Sequence, residues 1–134
     1  MKIVNVILKI ILVLLMVSPI LGAFGVFPAP TADMYSTPQA FAFIQALFAT
    51  GYVTYIMAVV FTIAAVLILT GRMAAAALLI VPITVNIIAF HAVLDSGIFT
   101  AEAIMADVLV LLNLYFLWQN RARYQALLRK DSVV

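Results

Sequence analysis

The chain has no cysteine, one histidine and one tryptophan in 134 residues, and only 9% of its residues are charged. The missing cysteine excludes disulfides, thiolate nucleophiles, thiolate-bound zinc and cysteine-ligated iron–sulfur clusters within the chain. With a single histidine, a two-histidine haem site would need a second copy, or a methionine as the other ligand. The six methionines sit in apolar text, where packing accounts for them. A net charge of +2 is too small to imply a nucleic-acid partner. There is no Ser/His/Asp order, phosphate loop or metal-ligand spacing, so no complete catalytic set is present; the sequence leans away from an enzyme and leaves that question open. Period-two alternation is also missing, which argues against an outer-membrane barrel.

What the chain has is apolar sequence. Hydrophobic residues make up 68%, against roughly 45–50% in soluble domains. A water-soluble fold of this size keeps too much area exposed to hide that surface, so the solvent implied is lipid. Four stretches have spanning length: residues 3–27, 52–70, 73–94 and 101–118. Even Ile10–Phe27 alone makes about 27 Å of helix, close to a hydrocarbon core of about 30 Å. Lys2, Lys9 and the small pair Gly22-Ala23 would also suit a cleaved export signal. The apolar part is longer than the roughly 7–15 residues of such signals, and we read it as a retained span. The predicted fold is one all-α domain over residues 1–134: a bundle of four transmembrane helices, with a short extra helix before the second span and a basic tail over 119–134.

Residues 28–51 join the first two spans. Pro28, Pro30 and Pro38 mark an irregular loop, and Thr37-Pro38 is a helix start with Thr at the N-cap and Pro at the first position. Gln39–Thr50 is then an interfacial helix ended by Gly51, or else the first part of one long helix to Thr70. Gly71-Arg72 and Ser96-Gly97 mark turns. Pro19 and Pro82 predict kinks inside the first and third spans.

Charge placement gives the orientation. Lys2, Lys9, Arg72, Arg121, Arg123, Arg129 and Lys130 fall on one side, and Asp33, Asp95 and Glu102 on the other. The positive-inside rule therefore predicts both termini in the cytoplasm, in a bacterial-type cytoplasmic membrane. Tyr52, Tyr55, Tyr115, Trp118 and Tyr124 lie where interfacial aromatic belts are expected. The basic tail is predicted to continue as helix along anionic headgroups.

Four candidate polar residues fall well inside the third and fourth apolar stretches: Asn86 and His91 in the third, Asp107 and Asn113 in the fourth. A charge at mid-bilayer costs roughly 2.5–3.5 kcal/mol on insertion scales, so such groups need partners. If the two helices fold back about Phe99, His91 lies eight positions before it and Asp107 eight after, while Asn86 and Asn113 are thirteen and fourteen away. Equal distance from the turn means equal depth. The spacing predicts two cross-helix layers, His91 with Asp107 and Asn86 with Asn113. They would either line a polar pocket for a quinone headgroup or a proton, or hold the helices together. His91 can instead reach Asp95, one turn along its own helix.

These residues also carry a resemblance. Gln39–Tyr52, Leu69-Thr70-Gly71-Arg72, Val81-Pro82 with Asn86 and His91, and Asn113 through Trp118 with Arg121 and Tyr124 resemble the DoxX family (DoxX/DoxD-like). The resemblance runs over nearly the whole chain, and Pro82-x-x-x-Asn86-x-x-x-x-His91 is its most specific part. It implies a small four-helix membrane protein associated with membrane redox systems; the family is named for a subunit type of thiosulfate:quinone oxidoreductase. Many relatives carry Lys-x-x-x-Glu-like charge early in the second helix, where Tyr55–Phe61 here is uncharged. That departure favours an accessory or scaffold subunit of a larger redox or electron-transfer complex, meeting other membrane subunits or a homo-oligomer within the lipid. The alternatives are a quinone-interacting oxidoreductase subunit, with Asn86, His91, Asp107 and Asn113 as the pocket, and small-molecule transport. For the last, no repeat of broken half-helices is evident.

Overall fold

The computed structural model describes residues 1–130, and these are all-helical, with no strand among them. Residues 131–134 of the predicted tail lie outside the described residues. The helices are α1 (Lys2–Ala23), α2 (Pro38–Thr50), α3 (Tyr52–Leu69), α4 (Met73–Leu79), α5 (Val81–Val93), α6 (Ile104–Gln119) and α7 (Arg121–Tyr124), with a 3-10 turn at Ala32–Met34.

Helix ends follow local chemistry. α1 closes in a Schellman motif: the N–H of Gly25 bonds to the carbonyl of Gly22 and that of Val26 to Leu21, with Gly25 left-handed at φ 73°. Such a closure satisfies carbonyls that the helix end would otherwise orphan. It stops the first helix at Ala23, four residues short of the predicted Phe27. α2 begins as the sequence predicts: the Thr37 hydroxyl accepts a hydrogen bond from the N–H of Ala40 at 3.1 Å, and Pro38 sits in the first turn. Gly51, left-handed at φ 73°, then separates α2 from α3, so the long continuous helix from Pro38 to Thr70 does not form.

The third apolar stretch is broken. α4 and α5 meet at Ile80 with a bend of 44°. Pro82 explains the break, because its ring lacks an N–H and clashes with the carbonyl four residues earlier. α6 begins at Ile104, three residues after the predicted start, because residues 94–103 form an irregular connection. The tail departs from expectation too: α7 is a single turn and the chain then runs in turns to Arg129. Tyr124 fixes that turn, its hydroxyl donating to the carbonyl of Ala74 at 2.9 Å.

α1 and α3 are long and apolar enough to cross a bilayer, and the bent pair α4–α5 makes a third such unit; α6 is apolar but has 16 residues. The core gathers Leu12 and Met16 of α1, Phe61, Ala64 and Ile68 of α3, Met73, Ala76 and Ala77 of α4, Ile80, and Leu109, Leu112 and Phe116 of α6. Small residues on α3 and α4 let these helices approach closely. α2 and α5 stand at the margin: α2 buries Ala40 and α5 buries Thr84.

Phe61 and Phe116 are the largest side chains enclosed completely. Phe61→Ala is expected to destabilise the fold by about 3–5 kcal/mol, as for large cavity-forming substitutions, and to lower the melting temperature in detergent. Val59→Ala, at an exposed site on the same helix, is the control and should leave it nearly unchanged.

Candidate functional site

The break at Ile80 creates a chemical demand. Ala77 lies in the last turn of α4, where carbonyls run out of intrahelical donors. Asn113, 2% exposed on α6, meets it: its Nδ2 donates to the Ala77 carbonyl at 2.8 Å. On the other side of the break, the Thr84 hydroxyl donates to Asn113 Oδ1 at 3.0 Å. That hydroxyl lies equally near the Val81 carbonyl, so its one proton is shared. Asn113 thus bridges α4 and α5 across their junction, with both ends of its amide engaged.

The predicted partner, Asn86, is not there. It faces outward and is exposed. Depth is right and azimuth is not: at 3.6 residues per turn, Asn86 is about 200° around the helix from Thr84. If Thr84 faces in, Asn86 must face out. Thr84, missed in the sequence, could have been found, since it lies at Asn113's depth and its hydroxyl is a common interhelical donor.

The predicted His91–Asp107 pair does not form either. His91 Nδ1 lies 3.2 Å from Asp95 Oδ2, one turn along the chain, without the geometry of a hydrogen bond. The contact is an ion pair whenever the imidazole is protonated. Asp95, 2% exposed in its side chain, also accepts the N–H of Ser36 at 2.7 Å, and the Thr37 hydroxyl donates to the Leu94 carbonyl. Residues 94–95 therefore anchor the start of α2 to the end of α5. Asp107, 3% exposed, accepts the N–H of Phe99 on Oδ2 at 2.9 Å. Phe99 is a non-glycine residue at φ 58°, a conformation that needs outside support. Asp107 thus clamps the α5–α6 connection, and its Oδ1 is buried without a partner. The acid also sits in the first turn of α6, where the helix dipole favours negative charge.

The electrostatics of that end are local. Burial pushes the Tyr35 phenol above its ordinary range, and the Asp95 carboxylate adds to the effect. Asp33 is held below the ordinary carboxylate range by the Thr31 side chain, then by its own N–H. At the opposite end, Tyr115 donates to Asn5 Oδ1 at 2.8 Å, tying α6 to α1. Arg121 lies over the Trp118 ring at 4.5 Å. There Tyr124 is raised by burial, with Arg123 opposing. One surface cleft of about 350 Å³ lies beside Lys9, Val13 and Ile68, and another of about 310 Å³ beside Phe27, Gly51 and Tyr55. Neither is lined by Asn86, His91, Asp107 or Asn113.

The fold and its polar contacts define a helical protein with two or three helices of membrane-spanning length and composition. No protein-family model, curated protein or solved structure matches the chain.

A double-mutant cycle tests the bridge. Thr84→Val and Asn113→Ala, singly and together, should give a coupling of about 0.6 kcal/mol, and no more than about 1.7, the range for hydrogen bonds between membrane helices. Additive effects in thermal unfolding would show that the two side chains do not interact.

Proposed function

We propose that the chain is a four-pass membrane protein with both termini in the cytoplasm, serving as a packing subunit of a larger membrane complex. One observation carries this reading: the buried polar groups are spent on the fold. Asn113 and Thr84 close the α4–α5 break, Asp95 anchors α2, and Asp107 clamps Phe99. None of these groups lines the clefts beside Lys9 or Tyr55. The outward surface is mostly apolar over α1, α2, α3 and α5, and such a protein acts on other molecules mainly through lateral contact in the lipid.

The four-pass arrangement takes α1, α3, the α4–α5 pair and α6 as spans. α6 provides about 24 Å of helix, a length that local thinning or flanking anchors accommodate. Arg121 and Trp118 at its end are residues of the anchoring type. Lys2 begins α1, and Arg72 and Arg121 flank the ends of α3 and α6. Tyr115–Asn5 and Tyr124–Ala74 draw these segments together, and the positive-inside rule assigns that end to the cytoplasm.

The redox character of the host complex rests on the DoxX resemblance, centred on Pro82, Asn86 and His91. A quinone-contacting role is the second reading. It is favoured by the buried, unpartnered Asp107 Oδ1 and by His91, which is 16% exposed and has an unbonded Nδ1.

The natural absence of cysteine makes topology directly measurable. Asp33→Cys and Glu102→Cys should react with a membrane-impermeant maleimide on intact cells, and Arg72→Cys and Arg121→Cys only after permeabilisation. Labelling of the two sets on the same side would overturn the arrangement. For the role itself, mild purification from native membranes should recover other membrane subunits in fixed proportion, and His91→Ala should retain them. Recovery with bound quinone that His91→Ala abolishes would replace the packing role with the quinone-contacting one.

A further inference from the structure

Asn86 is the polar group that the bundle does not use. α5 turns Thr84 inward, and the opposite side of the helix carries Pro82, Val85, Asn86, Ala89 and Val93, all exposed. Their spacing by three and four residues places them in one stripe. Asn86 lies seven residues from the end of α5 at Val93 and thirteen from the start of α4 at Met73. At 1.5 Å per residue that is about 10 Å from one end of the span and about 20 Å from the other. In a core of about 30 Å the side chain is well inside hydrocarbon. The hydrogen bonds of this neighbourhood belong to Thr84 and Asn113, and among the described residues none reaches the Asn86 amide. Lipid tails offer no replacement, and an amide left unpaired there is costly.

We infer that Asn86 is the centre of a homodimer interface in which the α5 stripes of two copies pack side by side. Three features select a second copy as the occupant. The carboxamide carries donors and an acceptor on one plane, so two asparagines related by a two-fold axis can each donate to the other. Copies inserted with one orientation have their two-fold axis along the membrane normal, which brings Asn86 opposite Asn86 at equal depth without further specification. The neighbours on the stripe, Val85 and Ala89, are short enough for two backbones to approach. Any other partner would have to supply a polar group of its own at this depth. A self-paired asparagine sets register as well as affinity, as at core positions of two-stranded coils.

The inference rests on the membrane-spanning reading above, and is independent of which complex the protein serves. Its test uses the cysteine-free chain. Ala89→Cys and Val85→Cys flank Asn86 on the stripe, and Ile63→Cys is the control, exposed on α3. Each is expressed in native membranes, oxidised with copper–phenanthroline, and checked for retention after alkaline carbonate extraction. Ala89→Cys and Val85→Cys should give a disulfide-linked homodimer and Ile63→Cys little. Adding Asn86→Leu to Ala89→Cys should lower the dimerisation constant about eight-fold, the factor for two membrane hydrogen bonds of about 0.6 kcal/mol each. Membrane-retained protein without a homodimer, with Asn86→Leu cross-linking undiminished, or linked instead to a protein of another size, would overturn the interface alone. Release by carbonate would overturn the membrane reading and the interface with it.

Discussion

The bridge from Asn113 to Ala77 and Thr84 is the contact on which the rest of the arrangement depends. A proline break inside an apolar helix leaves backbone carbonyls without helical donors in an apolar interior. The break also redirects α5 away from α4 by 44°, which frees its far end to meet the start of α2. Both consequences need a polar group at one point in the interior, delivered from another helix. Asn113 is that group, and α6 is held in register because only one rotation and one depth place the amide there. The apolar core of α1, α3, α4 and α6 then packs around a fixed frame.

Several features of this frame were legible in the sequence because they depend on neighbouring residues only. Thr37-Pro38 starts α2, Gly51 ends it, and Gly71 closes α3 with the chemistry that their types predict. Pro82 announced a bend. The helical class followed from long apolar stretches without alternation. Depth was also legible, since distance from a turn counts residues and little else. Azimuth was not. It depends on which face of α5 the other helices occupy, and no residue within α5 declares that. Asn86 and Thr84 are equally plausible inward groups by composition; α6 selects Thr84.

The end of the bundle that holds the α5–α6 connection differs from the sequence pattern for a second reason. His91 and Asp107 are equally far from Phe99 along the chain, yet each finds a nearer partner. Asp95 is one helical turn from His91, and Phe99 offers a backbone N–H to Asp107. The connection over residues 94–103 is longer and less regular than a tight hairpin, and it supplies backbone donors that a scheme of paired side chains does not count. Ser36 is more remote still, and its bond to Asp95 could be known only once α2 had been set against α5. Of the four polar residues, Asp107 and Asn113 bond to backbone, His91 lies against Asp95, and Asn86 faces outward.

The bridging amide also bears on biogenesis. Ala77 and Thr84 emerge from the ribosome roughly thirty residues before Asn113, so a nascent chain holds an incomplete junction until the last apolar helix arrives. In that interval the Ala77 carbonyl lacks the donor that completes the junction, and a chain that stops short of α6 lacks it permanently. Closure of the α4–α5 junction is thereby tied to synthesis of the last long helix.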